Sequence, residues 1–144
     1  MNYIAASVCL PVVRETTGEK VRTPEDVLRI CADMRSLAQE TFQVLTLNAR
    51  NMLINRHLVS LGLVNAALVH AREVFRPAIL DGASGVLLAH NHCSGDPTPS
   101  AEDVRQTAQL VKAGALLGIP VLDHIVIGDG CVSMRETGVC SFKT

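Results

Sequence analysis

The stretch from Leu88 to Asp103, Leu-Ala-His-Asn-His-Cys-Ser-Gly-Asp-Pro-Thr-Pro-Ser-Ala-Glu-Asp, constrains the fold more than any other part of the chain. It begins as the end of the apolar run Val86-Leu87-Leu88-Ala89. A short run with no polar face reads as a strand covered on both sides. It finishes at Pro99-Ser100-Ala101-Glu102-Asp103, where serine and an acidic residue three positions on form the capping box that opens a helix. A strand buried on both faces needs a layer above it and a layer below it. The expected architecture is therefore α/β, with a mixed sheet and a helix on each face.

The remaining elements follow from pattern. Residues 3–13 read as a strand, with Pro11 marking an edge or an end. Thr23-Pro24-Glu25-Asp26 starts a helix that should run to about Gln39, with Val27, Cys31, Met34 and Ala38 inward. Residues 40–47 and 52–60 form a hairpin around Asn48-Ala49-Arg50-Asn51, with Glu40 at the head of its first strand. Residues 64–69 are apolar and ambiguous between helix and strand. A helix is expected from Ala71 to Leu80 with Val74, Phe75 and Ile79 inward, although Pro77 strains it. The helix opened by Ser100 should bury Val104, Ala108, Val111 and Ala115, keep Arg105, Gln106, Gln109 and Lys112 in water, and stop at Gly118 and Pro120. Strands over 121–127 and 131–134 close the chain.

With 144 residues, 48% of them apolar, the chain is read as one domain, 1–144. Its core must be aliphatic, because there is no Trp, one Tyr and three Phe. The net charge is -1 and no run of basic residues marks a phosphate-binding face. DNA association stays open but has no support from charge. Five cysteines, an odd number without C-x-x-C spacing, argue against a disulfide framework or a four-cysteine zinc site and for reduced thiols in the cytoplasm. The apolar run 4–13 is too short to span a bilayer, so no membrane association is expected.

His90 and His92 stand two apart, so on an extended strand they share a face. Asp103 enters from a helix start that the Gly- and Pro-rich loop folds back toward them. Two imidazoles and a carboxylate are three of the four ligands of a catalytic zinc, with the fourth position open; iron, manganese and nickel also suit them. Asp103 has a plainer reading, since the Thr23–Asp26 signature repeats its capping box with no histidine nearby. The paired histidines tip the balance, because a metal satisfies both imidazoles at once. Cys93 should point away from that metal. His57 and His70 read as packing or surface residues, and His124 as either a hydrogen-bonded core partner of Asp123 or a group that orients a ligand histidine.

His90-x-His92, seven residues, Ser100, two residues and Asp103 resemble the JAMM (MPN+) metalloprotease motif, with Glu40 at the position of the family's upstream glutamate. More narrowly, Glu73-Val74-Phe75, Ser94-Gly95, Pro99-Ser100 and Asp123-His124-Ile125-Val126-Ile127-Gly128 are similar to the JAB domain of RadC-type proteins over roughly residues 24–140. Cys93 and Ala71 stand where that family usually has proline, and Leu63 where it usually has threonine. The resemblance implies a three-layer α/β/α JAB/MPN-like (cytidine deaminase-like) fold and one Zn2+ per chain held by His90, His92 and Asp103. It implies Glu40 as general base and Ser100 as oxyanion donor, with Asp123 and His124 supporting the ligands. The implied reaction is hydrolysis of an amide bond in a peptide or protein substrate. The helix-hairpin-helix segment of longer members is not expected here, and short members of this kind resemble those carried on mobile elements. The alternative is a non-catalytic JAB module that acts as a binding component in DNA repair or mobile-element processes. A homodimer stays open.

Overall fold

The computed structural model describes residues 18–62 and 69–143. The strand expected over 3–13 and all but the last residue of the ambiguous stretch 64–69 lie outside those residues. In chain order the elements are α1 (Pro24–Ile30), a 3-10 turn (Ala32–Ser36), β1 (Thr41–Leu47), β2 (Leu53–Leu61) and α2 (Ala71–Leu80). They continue with β3 (Gly85–Asn91), α3 (Ala101–Leu117), β4 (Val121–Ile127) and β5 (Cys131–Ser133). The sheet order is β2-β1-β3-β4-β5. Among the described strands only β3 and β4 run parallel; the other pairs are antiparallel, so the sheet is mixed.

Alternation along the strands sorts the core into two layers. Phe42, Val44, Val86 and Leu88 pack with Val74, Phe75, Leu110 and Val111 of α2 and α3. Leu45, Leu47, Leu87, Ala89, Ile125 and Ile127 pack with Val27 of α1 and with Cys31 and Met34 on the other face. The fold is a three-layer α/β/α sandwich, and β1 and β3 are buried along their whole length because each is covered on both faces.

Several expectations need correction. The first helix stops at Ile30, not near Gln39. Arg56 donates to the Ile30 carbonyl at 3.0 Å and to both Asp33 oxygens at 2.7 and 2.8 Å, which satisfies the helix end and tightens the following turn into 3-10 geometry. Val27, Cys31 and Met34 are buried as expected, but Ala38 lies beyond the helix and is exposed. In α2, Pro77 sits within the helix, and Ala78 rather than Ile79 faces inward. β3 extends through His90 and Asn91. The buried face of α3 carries Asp103, Gln106, Thr107, Leu110, Val111 and Gly114, so Gln106 is inside and Ala115 outside. That face is turned because α3 presents polar side chains to the end of the sheet.

Candidate metal centre

Register places the histidines. Val86, Leu88 and His90 alternate onto the α3 side of β3. Parallel pairing sets Leu88 against His124 and His90 against Val126, so His124 of β4 enters the same layer beside His90. His90 Nδ1 and His124 Nε2 lie 2.7 Å apart. Phe42, which pairs with His90 across β1 and β3, stacks on the His90 ring at 6.1 Å and 8°. His92 follows β3; its backbone N–H donates to the Ile127 carbonyl at 2.9 Å, and its Nδ1 donates to the Asp96 carbonyl at 2.9 Å.

Asp103 is placed by its own helix. The Ser100 hydroxyl accepts from the Asp103 N–H at 3.0 Å, and Asp103 Oδ2 accepts from the Ser100 N–H at 2.8 Å. The capping reading of this pair is therefore true. It also aims the carboxylate inward: Oδ1 lies 3.3 Å from His90 Nε2 and Oδ2 lies 3.2 Å from His92 Nε2. The two Nε2 atoms are 2.9 Å apart. One ligand atom from each of the three residues lies within 4.8 Å of the others.

The donor set fits a cation. His92 Nδ1 is committed to a carbonyl, which only accepts, and His90 Nδ1 is committed to His124. With its proton on Nδ1, neutral His92 presents its Nε2 lone pair to His90 Nε2 and to the Asp103 carboxylate, and a cation between them suits that arrangement. The separations are close to the roughly 3.3 Å edge of a tetrahedral zinc site.

The electrostatics agree. Burial pushes the Asp103 carboxyl up, but the His90 and His92 rings against it outweigh that and hold its pKa well below the ordinary value. The hydrogen bond to Asp103 raises His92 against the opposing effect of burial, and the charge of Glu40 adds to the rise. Complete burial drives His124 well below its ordinary value, so it is neutral at pH 7.

Glu40 is exposed and lies one residue before β1. The β1–β3 register, continued by two residues, sets it against His92. Asn91, the middle residue of His90-Asn91-His92, accounts for its placement. Its side-chain oxygen accepts from the Thr41 N–H at 2.7 Å and its nitrogen donates to the Gln39 carbonyl at 3.1 Å, so it grips the backbone on both sides of Glu40. Asp123 accepts from the N–H groups of His124 and Arg135 and from the Ser133 hydroxyl, tying β4 to β5; it touches none of the three clustered residues. Cys93 is exposed, with its thiol directed at the Leu37 carbonyl. Thr107, also missed in sequence, is buried against His124. Its one signal is that it follows Asp103 by one helical turn.

A family model described as the RadC-like JAB domain matches residues 21–139. The chain belongs to that family. It is 49% identical over 132 residues to a UPF0758 protein of Caldanaerobacter subterraneus subsp. tengcongensis, covering 89% of this chain and 57% of the relative. It is 47% identical over 125 residues to one of Halalkalibacterium halodurans, covering 85% and 54%. A UPF0758 protein of Methanosarcina mazei is 44% identical over 126 residues, covering 86% and 55%. This RadC-like JAB domain thus spans about half the length of the curated relatives it matches. No helix among its described residues is long and apolar enough to cross a membrane.

The pKa directions set the pH response of the metal-free RadC-like domain. His92 is raised, so its contribution is full below the unfolded value near 6.5 and is lost as pH rises through its folded value. His124 is lowered, so its contribution is full above 6.5 and is lost below it, as the unfolded chain takes up a proton that the folded one refuses. Metal-free protein should therefore melt highest near pH 6.5. Zinc held by the cluster would take the place of the His92 proton and shift that maximum upward. Melting temperatures at pH 5, 6.5 and 8, with chelator and with zinc, check this; a metal-free melting temperature still climbing at pH 8 would contradict it.

Proposed function

We propose that the chain is a zinc-dependent hydrolase, a metallopeptidase or isopeptidase that cleaves an amide bond in a peptide or protein substrate in the cytoplasm. The observation that carries this reading is the convergence of His90, His92 and Asp103 from β3, the loop after it and α3, with one ligand atom from each within 4.8 Å of the others. When bound, zinc lowers the pKa of water toward neutrality and polarises a carbonyl.

The protein residues do the rest. Glu40, one residue before β1 and flanked by the Asn91 bonds to Gln39 and Thr41, takes the proton of the attacking water and passes it to the leaving amine. Ser100 accepts in its capping bond, so its hydroxyl proton is free to donate to the developing oxyanion. Phe42 walls one side of His90 and keeps water from that face.

Glu40→Gln tests the assignment. The variant should bind zinc as the parent does and hydrolyse amide substrates about 10²- to 10⁴-fold more slowly. A panel of linear and isopeptide-linked substrates read by mass spectrometry provides the measurement. Full activity in Glu40→Gln would remove Glu40 as the base. A parent chain that binds zinc and cleaves nothing on the panel would favour the binding-module alternative.

A further inference from the structure

We infer that Thr107 is a positioning residue: acting through His124, it holds the proton of His90 on Nδ1 and so keeps Nε2 bare toward the metal cluster. This rests on the reading of His90 as a ligand. Nothing in the metal motif includes Thr107.

The inference comes from counting donors along a chain of contacts. The Thr107 hydroxyl has one proton. It donates to the carbonyl of Asp103, one turn back on α3, at 2.7 Å. Toward His124 Nδ1, 2.6 Å away, it can then only accept, so that nitrogen carries a proton. A neutral imidazole has a single N–H, which leaves His124 Nε2 bare. Nε2 therefore accepts from His90 Nδ1 across 2.7 Å. His90 Nδ1 must carry its proton, and His90 Nε2 faces Asp103 and His92 as a lone pair.

Reversing the relay gives the wrong result. If the Thr107 proton pointed at His124, every N–H in the chain would flip and a proton would sit on His90 Nε2, where a metal must bind. The bond from the Thr107 hydroxyl to the Asp103 carbonyl sets the direction at the first link. The same helix turn thus supplies a carboxylate at Asp103 and, from Thr107, the tautomer of the histidine opposite. Thr107, His90 and His124 are all buried, so water does not compete for these bonds. His92 has its own anchor in the Asp96 carbonyl and does not depend on the relay.

The test compares Thr107→Val, which keeps the shape and loses the hydroxyl, with Thr107→Ser, which keeps the hydroxyl. Zinc affinity is read by competition with a chromophoric chelator. Histidine tautomers are read from ring-nitrogen shifts of the 15N-labelled protein with and without zinc. Thr107→Val should weaken zinc binding about 10- to 100-fold and mix the tautomers at His124 and His90. Thr107→Ser should restore both. A Thr107→Val chain that melts lower but keeps parental zinc affinity and a pure Nδ1–H His90 would overturn the inference. So would a parent chain with the His90 proton on Nε2, a measurement that needs no variant. If the parent binds no zinc, the metal reading fails. The nitrogen shifts of the metal-free protein then decide the relay separately.

Discussion

His92→Ala is expected to give a folded chain that no longer holds zinc at one equivalent. His92 lies just past β3 and is only partly buried, so truncating it removes little packing. What it removes is one of the three clustered side chains proposed to hold the metal. Structural zinc sites are worth roughly 10–16 kcal/mol across four ligands, so one ligand carries on the order of 3 kcal/mol, about 10²-fold in affinity. The loss should exceed that of Thr107→Val, because the donor itself is gone. Metal content after dialysis and chelator competition measure it. His70→Ala is the control, since His70 is exposed at the start of α2 and makes no side-chain capping bond. Parent protein with well under one equivalent of metal, unchanged in His92→Ala, would end the proposal of a zinc site.

Gly128→Ala should be the most damaging single methyl in the described part of the chain. A Cβ at Gly128 would lie 2.2 Å from the Gly95 carbonyl oxygen and 2.7 Å from its carbon. Both are backbone atoms, so no rotamer relieves the clash. The contact is where the turn after β4 meets the histidine loop: Asp129 N–H donates to the Gly95 carbonyl at 2.7 Å, and Gly95 N–H donates to the His92 carbonyl at 3.1 Å. Moving Gly95 therefore moves the loop whose Asp96 carbonyl anchors His92. We expect a loss of about 3 kcal/mol or more, roughly 10 °C in melting temperature, with weaker zinc binding in whatever remains folded. Gly130→Ala, two residues on, meets nothing within 4 Å and should change stability by less than about 0.5 kcal/mol. Denaturant titration of both variants decides. Equal stabilities would show that the loop yields freely at Gly95.

Much of the fold is legible in the sequence. The two capping boxes are local hydrogen-bond patterns, and both form at the predicted residues. The continuous apolar run before His90 required two covering layers, and the sheet has them. The amphipathic face of α3 was misread for a physical reason. Periodicity assigns polar residues to water, whereas this helix turns Gln106 and Thr107 inward beside Asp103. The same rule misplaced Ile79, which is exposed on α2 while the smaller Ala78 packs inside.

The sequence by itself determined the local facts: which residues share a strand face, which open helices, and that two imidazoles and a carboxylate lie within one loop's reach. Those depend on backbone periods and on hydrogen bonds across three or four residues, which short stretches encode completely. Only the tertiary structure decided which distant groups meet. The β1–β3 register sets Phe42 against His90, and Asn91 grips the backbone on both sides of Glu40. The parallel β3–β4 pairing sets His124 beside His90, and α3 brings Thr107 to His124. A one-residue slip in either register would turn these side chains to the opposite face, and register is settled by the packing of the whole sheet.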